Sequence, residues 1–128
     1  MIIGALGIDR NGATFGPREA LALPLLAELA GLDDGAFRRR FAGSPVKRIG
    51  RDRFVRNVLI ALGNSGDEAQ GDTVAPLVAD ASPLVRAAAI WALGRLAGAA
   101  RFAELRACHE PAEADPAVRT EWRQAAAC

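Results

Sequence analysis

The stretch Val85-Arg86-Ala87-Ala88-Ala89-Ile90-Trp91-Ala92-Leu93-Gly94 decides the fold. Its apolar residues Val85, Ala88, Ala89, Ala92 and Leu93 recur at the three- and four-residue spacing that lines one face of an α-helix. Ser82 stands where a side-chain oxygen can cap the first turn, Pro83 suits that turn, and Gly98 suits a stop after Leu96-Ala97. The pattern occurs once earlier as Phe54-Val55-Arg56-Asn57-Val58-Leu59-Ile60-Ala61-Leu62-Gly63, with Phe54 falling on Val85, Val58 on Ala89 and Gly63 on Gly94. A third copy lies further on, where Pro116-Ala117-Val118-Arg119 overlies Pro83-Leu84-Val85-Arg86 and Trp122, Ala125 and Ala126 take the apolar positions. Ahead of the second copy, residues 67–80 predict a short or kinked helix, because Gly71 and Pro76 interrupt it; Val74, Leu77 and Val78 face its partner. Residues 101–108 predict the equivalent first helix of the third unit. Paired antiparallel helices with a period of roughly 31 to 33 residues predict an all-α chain of HEAT-like repeats, a short α-solenoid.

Composition agrees. The 128 residues include 28 Ala against 16 Val, Ile and Thr, a skew that favours helix over strand and sets all-β folds aside. Upstream of the repeats, residues 24–32 and 33–41 predict two short helices, with Pro24 opening the first. Phe37 and Phe41, four apart, share a face that packs on the repeats. Gly43-Ser44-Pro45 then breaks the helix, and residues 44–50 predict a loop. The domain is expected over 17–128, behind an irregular segment at 1–16.

The formal net charge of +1 hides an asymmetry. Between residues 37 and 57 stand Arg38, Arg39, Arg40, Lys47, Arg48, Arg51, Arg53 and Arg56 against one acid, Asp52, a local charge of +7 inside the basic segment 38–56. Such a block marks a polyanion-binding surface, and Arg supplies a planar fork for phosphates. Arg38, Arg39 and Arg40 fan out by about 100° each, so they cannot all reach one ligand.

Scarcity excludes other chemistry. One histidine, His109, and two cysteines, Cys108 and Cys128, are too few for a zinc site of Cys and His ligands or for an iron–sulfur cluster within one chain. Two cysteines form no disulfide framework, which points to a reducing, cytoplasmic setting. No apolar run approaches the length of a membrane-crossing helix, so no membrane span is expected. Cys108 and His109 are neighbours on a helix and point about 100° apart, so they do not pair as nucleophile and base. Trp91, beside the apolar stripe, and Trp122, within it, read as core.

The stretch Gly43-Ser44-Pro45-Val46-Lys47-Arg48-Ile49-Gly50-Arg51-Asp52-Arg53-Phe54-Val55-Arg56-Asn57-Val58-Leu59-Ile60-Ala61-Leu62-Gly63-Asn64 resembles the C-terminal region of bacterial epoxyqueuosine reductase. Pro17-Arg18, the segment 25–41 and the repeats also fit that family. The resemblance implies a HEAT-like region that follows cobalamin-binding and iron–sulfur regions in an oxidoreductase acting on epoxyqueuosine in tRNA. The ferredoxin run Cys-x-x-Cys-x-x-Cys-x-x-x-Cys-Pro has no counterpart here, and no catalytic, metal or cofactor residue carries over. The expectation is a tRNA-contacting module without catalysis of its own, with Lys47, Arg48, Arg51, Arg53 and Arg56 as contacts and with neither DNA nor membrane as partner. Arg51 is placed at a helix start, where the positive dipole end favours phosphate. The alternatives are a protein-interaction scaffold, including one for a separate catalytic reductase chain, and a non-functional remnant of a truncated gene.

Overall fold

The computed structural model describes residues 17–127. The expected irregular segment 1–16 and Cys128 lie outside them. The described residues form seven α-helices and no strand: α1 (Pro17–Ala30), α2 (Asp34–Arg40), α3 (Arg51–Ser65), α4 (Gly71–Val74), α5 (Pro83–Leu96), α6 (Ala99–His109) and α7 (Pro116–Ala127). Short 3₁₀ turns at Pro45–Ile49, Glu68–Gln70, Ala75–Ala79 and Glu110–Ala112 join them.

Local chemistry sets most of the boundaries. Asp33 caps α2 by accepting from the Ala36 N–H at 2.7 Å, and Ser82 caps α5 by accepting from Val85 N–H, with Pro83 in the first turn. The helix α3 is bracketed by Gly50 at φ +84 and Gly66 at φ +70, backbone conformations that a side chain resists. Between α3 and α5 the chain is broken as expected into a 3₁₀ turn, the four-residue α4 and a second 3₁₀ turn containing Pro76. Val74 and Val78 are buried there, and Leu77 packs against the core.

Three expectations need correction. The helix α1 starts at Pro17 and carries Pro24 inside it. An interior proline costs about 3 kcal/mol. Leu26 and Leu29, both buried on this helix, contribute about 1.5–3 kcal/mol each and offset that cost. Gly98 does not stop α5: Ala97, extended, ends it, and Gly98 serves as the N-cap of α6. The expected loop after Gly43 is mostly a 3₁₀ turn, because the Ser44 hydroxyl accepts from Val46 N–H and Pro45 presets the first dihedral.

The main packing runs α3 against α5 and α5 against α7, with α1 on α3 and with α4 and the Ala75–Ala79 turn on α5. Val55, Val58, Leu59, Leu62, Val85, Ile90, Leu93, Val118 and Trp122 form the centre of one apolar cluster. Glycines at equivalent sequence positions allow the close approach. A Cβ on Gly63 would lie 2.6 Å from the Trp91 ring, and one on Gly94 would lie 3.1 Å from Ala125 Cβ. Phe37, Phe41 and Phe54 form an aromatic trio with ring centroids between 4.9 and 5.3 Å apart, which ties α2 to α3.

Candidate nucleic-acid interface

The eight basic residues of the 37–57 segment separate into two sets. Arg38 pairs with Asp34 at 2.9 Å and Arg40 with Glu28 at 3.1 Å, both on exposed helix faces. Arg51 is drawn inward: its side chain is 13% exposed and meets Asp80, 12% exposed, in a two-pronged ion pair at 2.8 and 2.9 Å. Its Nε–H donates to the Leu32 carbonyl at 2.8 Å and its Nη1 group also reaches Asp52 at 3.2 Å. Four of its five N–H donors are therefore engaged. The Arg51 hydrogen bonds hold the Asp80 carboxyl below the usual carboxylate range. Arg51 opens α3, as expected, yet its guanidinium fastens α3 to the Ala75–Ala79 turn instead of facing solvent.

Arg39, Lys47, Arg48, Arg53 and Arg56 have no carboxylate partner among the described residues. Lys47 and Arg48 project from the 3₁₀ turn and line, with Gly43, Ser44 and Pro45, an open cleft of about 520 Å³. Arg53, exposed, stands two residues into α3. Arg56 is half-buried and donates through Nε to Asn57 Oδ1 at 3.2 Å. Gly50 gives α3 no side-chain cap, so the positive end of a 15-residue helix lies between Lys47-Arg48 and Arg53. Exposed Lys47 and Arg48 thus lie just before α3 and exposed Arg53 in its first turn, whereas Arg51 is taken up in packing.

Arg86, on α5, makes a second two-pronged pair of the same kind. It meets Glu113 at 2.9 Å through both Nε and Nη2 and donates to the Asp80 and Ala81 carbonyls. Burial pushes the Glu113 carboxyl up, but the Arg86 hydrogen bonds and the Asp115 N–H outweigh it, and the group lies below its usual range. Trp122 is fully buried, as expected. Trp91 is only half-buried: it packs over Gly63, with the Arg95 guanidinium carbon 5.2 Å from its ring centroid. Arg95 lies outside the basic segment and is not among the expected contacts; its four-residue spacing from Trp91 is the signal that marks it. Cys108 is exposed, and the half-buried His109 ring lies parallel to Trp122 at a centroid distance of 6.5 Å.

No family model matches the chain. Among curated proteins, an epoxyqueuosine reductase from Alicycliphilus denitrificans is 36% identical over 89 residues, covering 63% of this chain and 25% of its own length. One from Xanthomonas campestris pv. campestris is 39% identical over 85 residues, covering 63% and 23%. The chain is similar to a part of epoxyqueuosine reductase. It spans about a quarter of the length of these reductase relatives. The crystal structure of an epoxyqueuosine reductase with an epoxyqueuosine-modified tRNA-Tyr stem loop matches 88% of this chain and 31% of its own, with a TM-score of 0.74 and 24% identity. A selenomethionine-labelled epoxyqueuosine reductase matches 89% of this chain with a TM-score of 0.73 and 23% identity. At these identities the likeness to the solved reductases shows the shared helical fold.

The reductase resemblance implies cobalamin and iron–sulfur clusters elsewhere in that family, and the donor set here does not fit a cluster. An iron–sulfur centre requires four ligands, usually thiolates, and the chain has two cysteines. Among the described residues, no group of three or more His, Cys, Asp or Glu could hold a metal ion. No helix among them is long and apolar enough to cross a membrane.

Proposed function

We propose that the chain is a HEAT-like helical module that contacts tRNA through Lys47, Arg48, Arg53 and Arg56 and performs no catalysis of its own. The observation that carries this reading is selective pairing. Three of the eight basic residues in the segment meet carboxylates from outside it, and these four do not. Unmatched cations around an uncapped helix start favour phosphate. The chemistry is backbone and shape recognition, because A-form RNA presents phosphates and 2′-hydroxyls. Arg51 acts behind this surface, holding α3 in place through Asp80. A relative solved with a modified tRNA stem loop makes tRNA the RNA of choice.

A filter-binding titration of the full chain against tRNA tests the reading. Binding near physiological salt that weakens at least tenfold when Lys47, Arg48 and Arg53 become Ala is expected. Absence of binding, or affinity unchanged in the triple variant, contradicts it. A second reading, a docking module for a separate catalytic reductase chain, draws on the exposed apolar residues Leu25, Ile49 and Leu84. Retention of a cobalamin- or cluster-carrying protein without RNA, lost when these three become Ser, selects that reading.

A further inference from the structure

Arg95 is an exposed cation with a fixed position. Its Nε–H donates to the Gly63 carbonyl at 3.2 Å, and its guanidinium lies over Trp91. No carboxylate among the described residues pairs with it, and its four Nη–H donors have no partner there. That bond and the Trp91 ring are its contacts among the described residues, and the planar Nη end of the group is left without a hydrogen-bond partner there.

Its surroundings select a ligand. Counting about 1.5 Å per residue along α3, Gly63 lies about 10 Å beyond Arg56 and about 15 Å beyond Arg53. At the helical turn per residue, these three positions share one side of α3. The helix α5 contains no Asp or Glu, and α3 contains only Asp52, at its far end. A strand of phosphates that begins at Arg53 and Arg56 therefore reaches Arg95 within a few nucleotides and passes no carboxylate on these two helices. At Arg95 it meets a flat cation already ordered by an indole, and guanidinium planes stack on unpaired bases.

We infer that Arg95, held by Trp91 and Gly63, is a stacking site for one unpaired RNA base. This rests on the RNA reading above and adds a preference for loops over duplex. Trp91 reports on the site directly, because the second tryptophan, Trp122, is fully buried.

The test titrates the full chain with a stem loop, a blunt duplex of equal length and the same stem loop with abasic loop positions, following tryptophan emission and affinity. The stem loop is expected to change Trp91 emission and to bind about tenfold more tightly than the other two. Arg95→Ala and Arg95→Lys are both expected to bring stem-loop affinity down to the duplex level while leaving duplex affinity within about twofold, because Lys keeps the charge and loses the plane. Equal affinity for all three RNAs, or full retention of the loop preference in Arg95→Lys, overturns the inference and leaves the Lys47–Arg48–Arg53 contact standing. Failure of every RNA to bind overturns both.

Discussion

Arg51 and Arg53 stand two residues apart at the start of one helix and have opposite surroundings. Arg51 is enclosed by Asp80, Asp52 and the Leu32 carbonyl; Arg53 is exposed and unmatched. The contrast extends to two regions. Along the seam between packed helices, Arg51 meets Asp80 and Arg86 meets Glu113, acids that stand 29 and 27 residues further on in the sequence. Along the rim, Lys47, Arg48 and Arg53 face solvent. A run of basic residues therefore does not report how much charge is available. The acids that neutralise part of it arrive through the fold, and what they leave unmatched is the part able to meet a polyanion.

The seam is where substitutions are expected to cost most. Trp122→Ala empties the largest buried site, against Phe102 at a ring distance of 5.4 Å, and should lower unfolding free energy by about 3–5 kcal/mol in a urea titration. A loss below about 1 kcal/mol would show that α7 is not integral to the core. Asp80→Ala leaves the Arg51 guanidinium half-enclosed without its partner and should cost about 2–3 kcal/mol, with Arg51→Ala adding little more on that background. Additive single losses would show that the two groups act separately and would dissolve the distinction between seam and rim.

The same pairs predict an acid limb. Asp80 and Glu113 have depressed carboxyl pKa values in the folded chain. Their contribution is complete above the unfolded-state values near 4 and is lost as pH falls through the lower folded values. Thermal stability should therefore fall below about pH 4, and Asp80→Asn with Glu113→Gln should flatten that slope. Glu121 has the opposite sign: burial raises its carboxyl pKa, so its ionisation opposes folding and Glu121→Gln should slightly stabilise the chain at neutral pH. The smallest effect belongs to the rim. Lys47→Ala, Arg48→Ala and Arg53→Ala should each leave stability within about 0.5 kcal/mol, measured by the same urea titration.

Features governed by nearby residues were legible in the sequence. Ser82, Pro83 and the stripe ending at Leu93 specify α5 within a dozen positions, and Gly71 and Pro76 break the segment before it as anticipated. Gly63 and Gly94 stand out as repeated positions, though their role in close approach shows only when Trp91 and Ala125 are in place. Pro24 and Gly98 misled for a local reason: each suits a helix end, but burial of Leu26 and Leu29 carries α1 through the proline, and Gly98 caps the next helix instead. The role of Arg51 was not legible, because its partners Leu32 and Asp80 lie 19 and 29 residues away in sequence; Arg95 is marked only by its spacing from Trp91, and its Gly63 contact lies 32 residues away. The candidate site was thus visible as a segment, and the division of labour within it was not.

The most direct test of that division is the salt dependence of tRNA affinity for the parent chain and two variants, Arg51→Ala and the Lys47→Ala, Arg48→Ala, Arg53→Ala triple. Each lost phosphate contact reduces the slope of log affinity against log salt by about 0.7–0.9. The triple variant should lose about 2–3 units of slope with its stability intact, whereas Arg51→Ala should lose stability with its slope nearly unchanged. A slope that falls by about one unit in Arg51→Ala and stays constant in the triple variant would contradict the assignment.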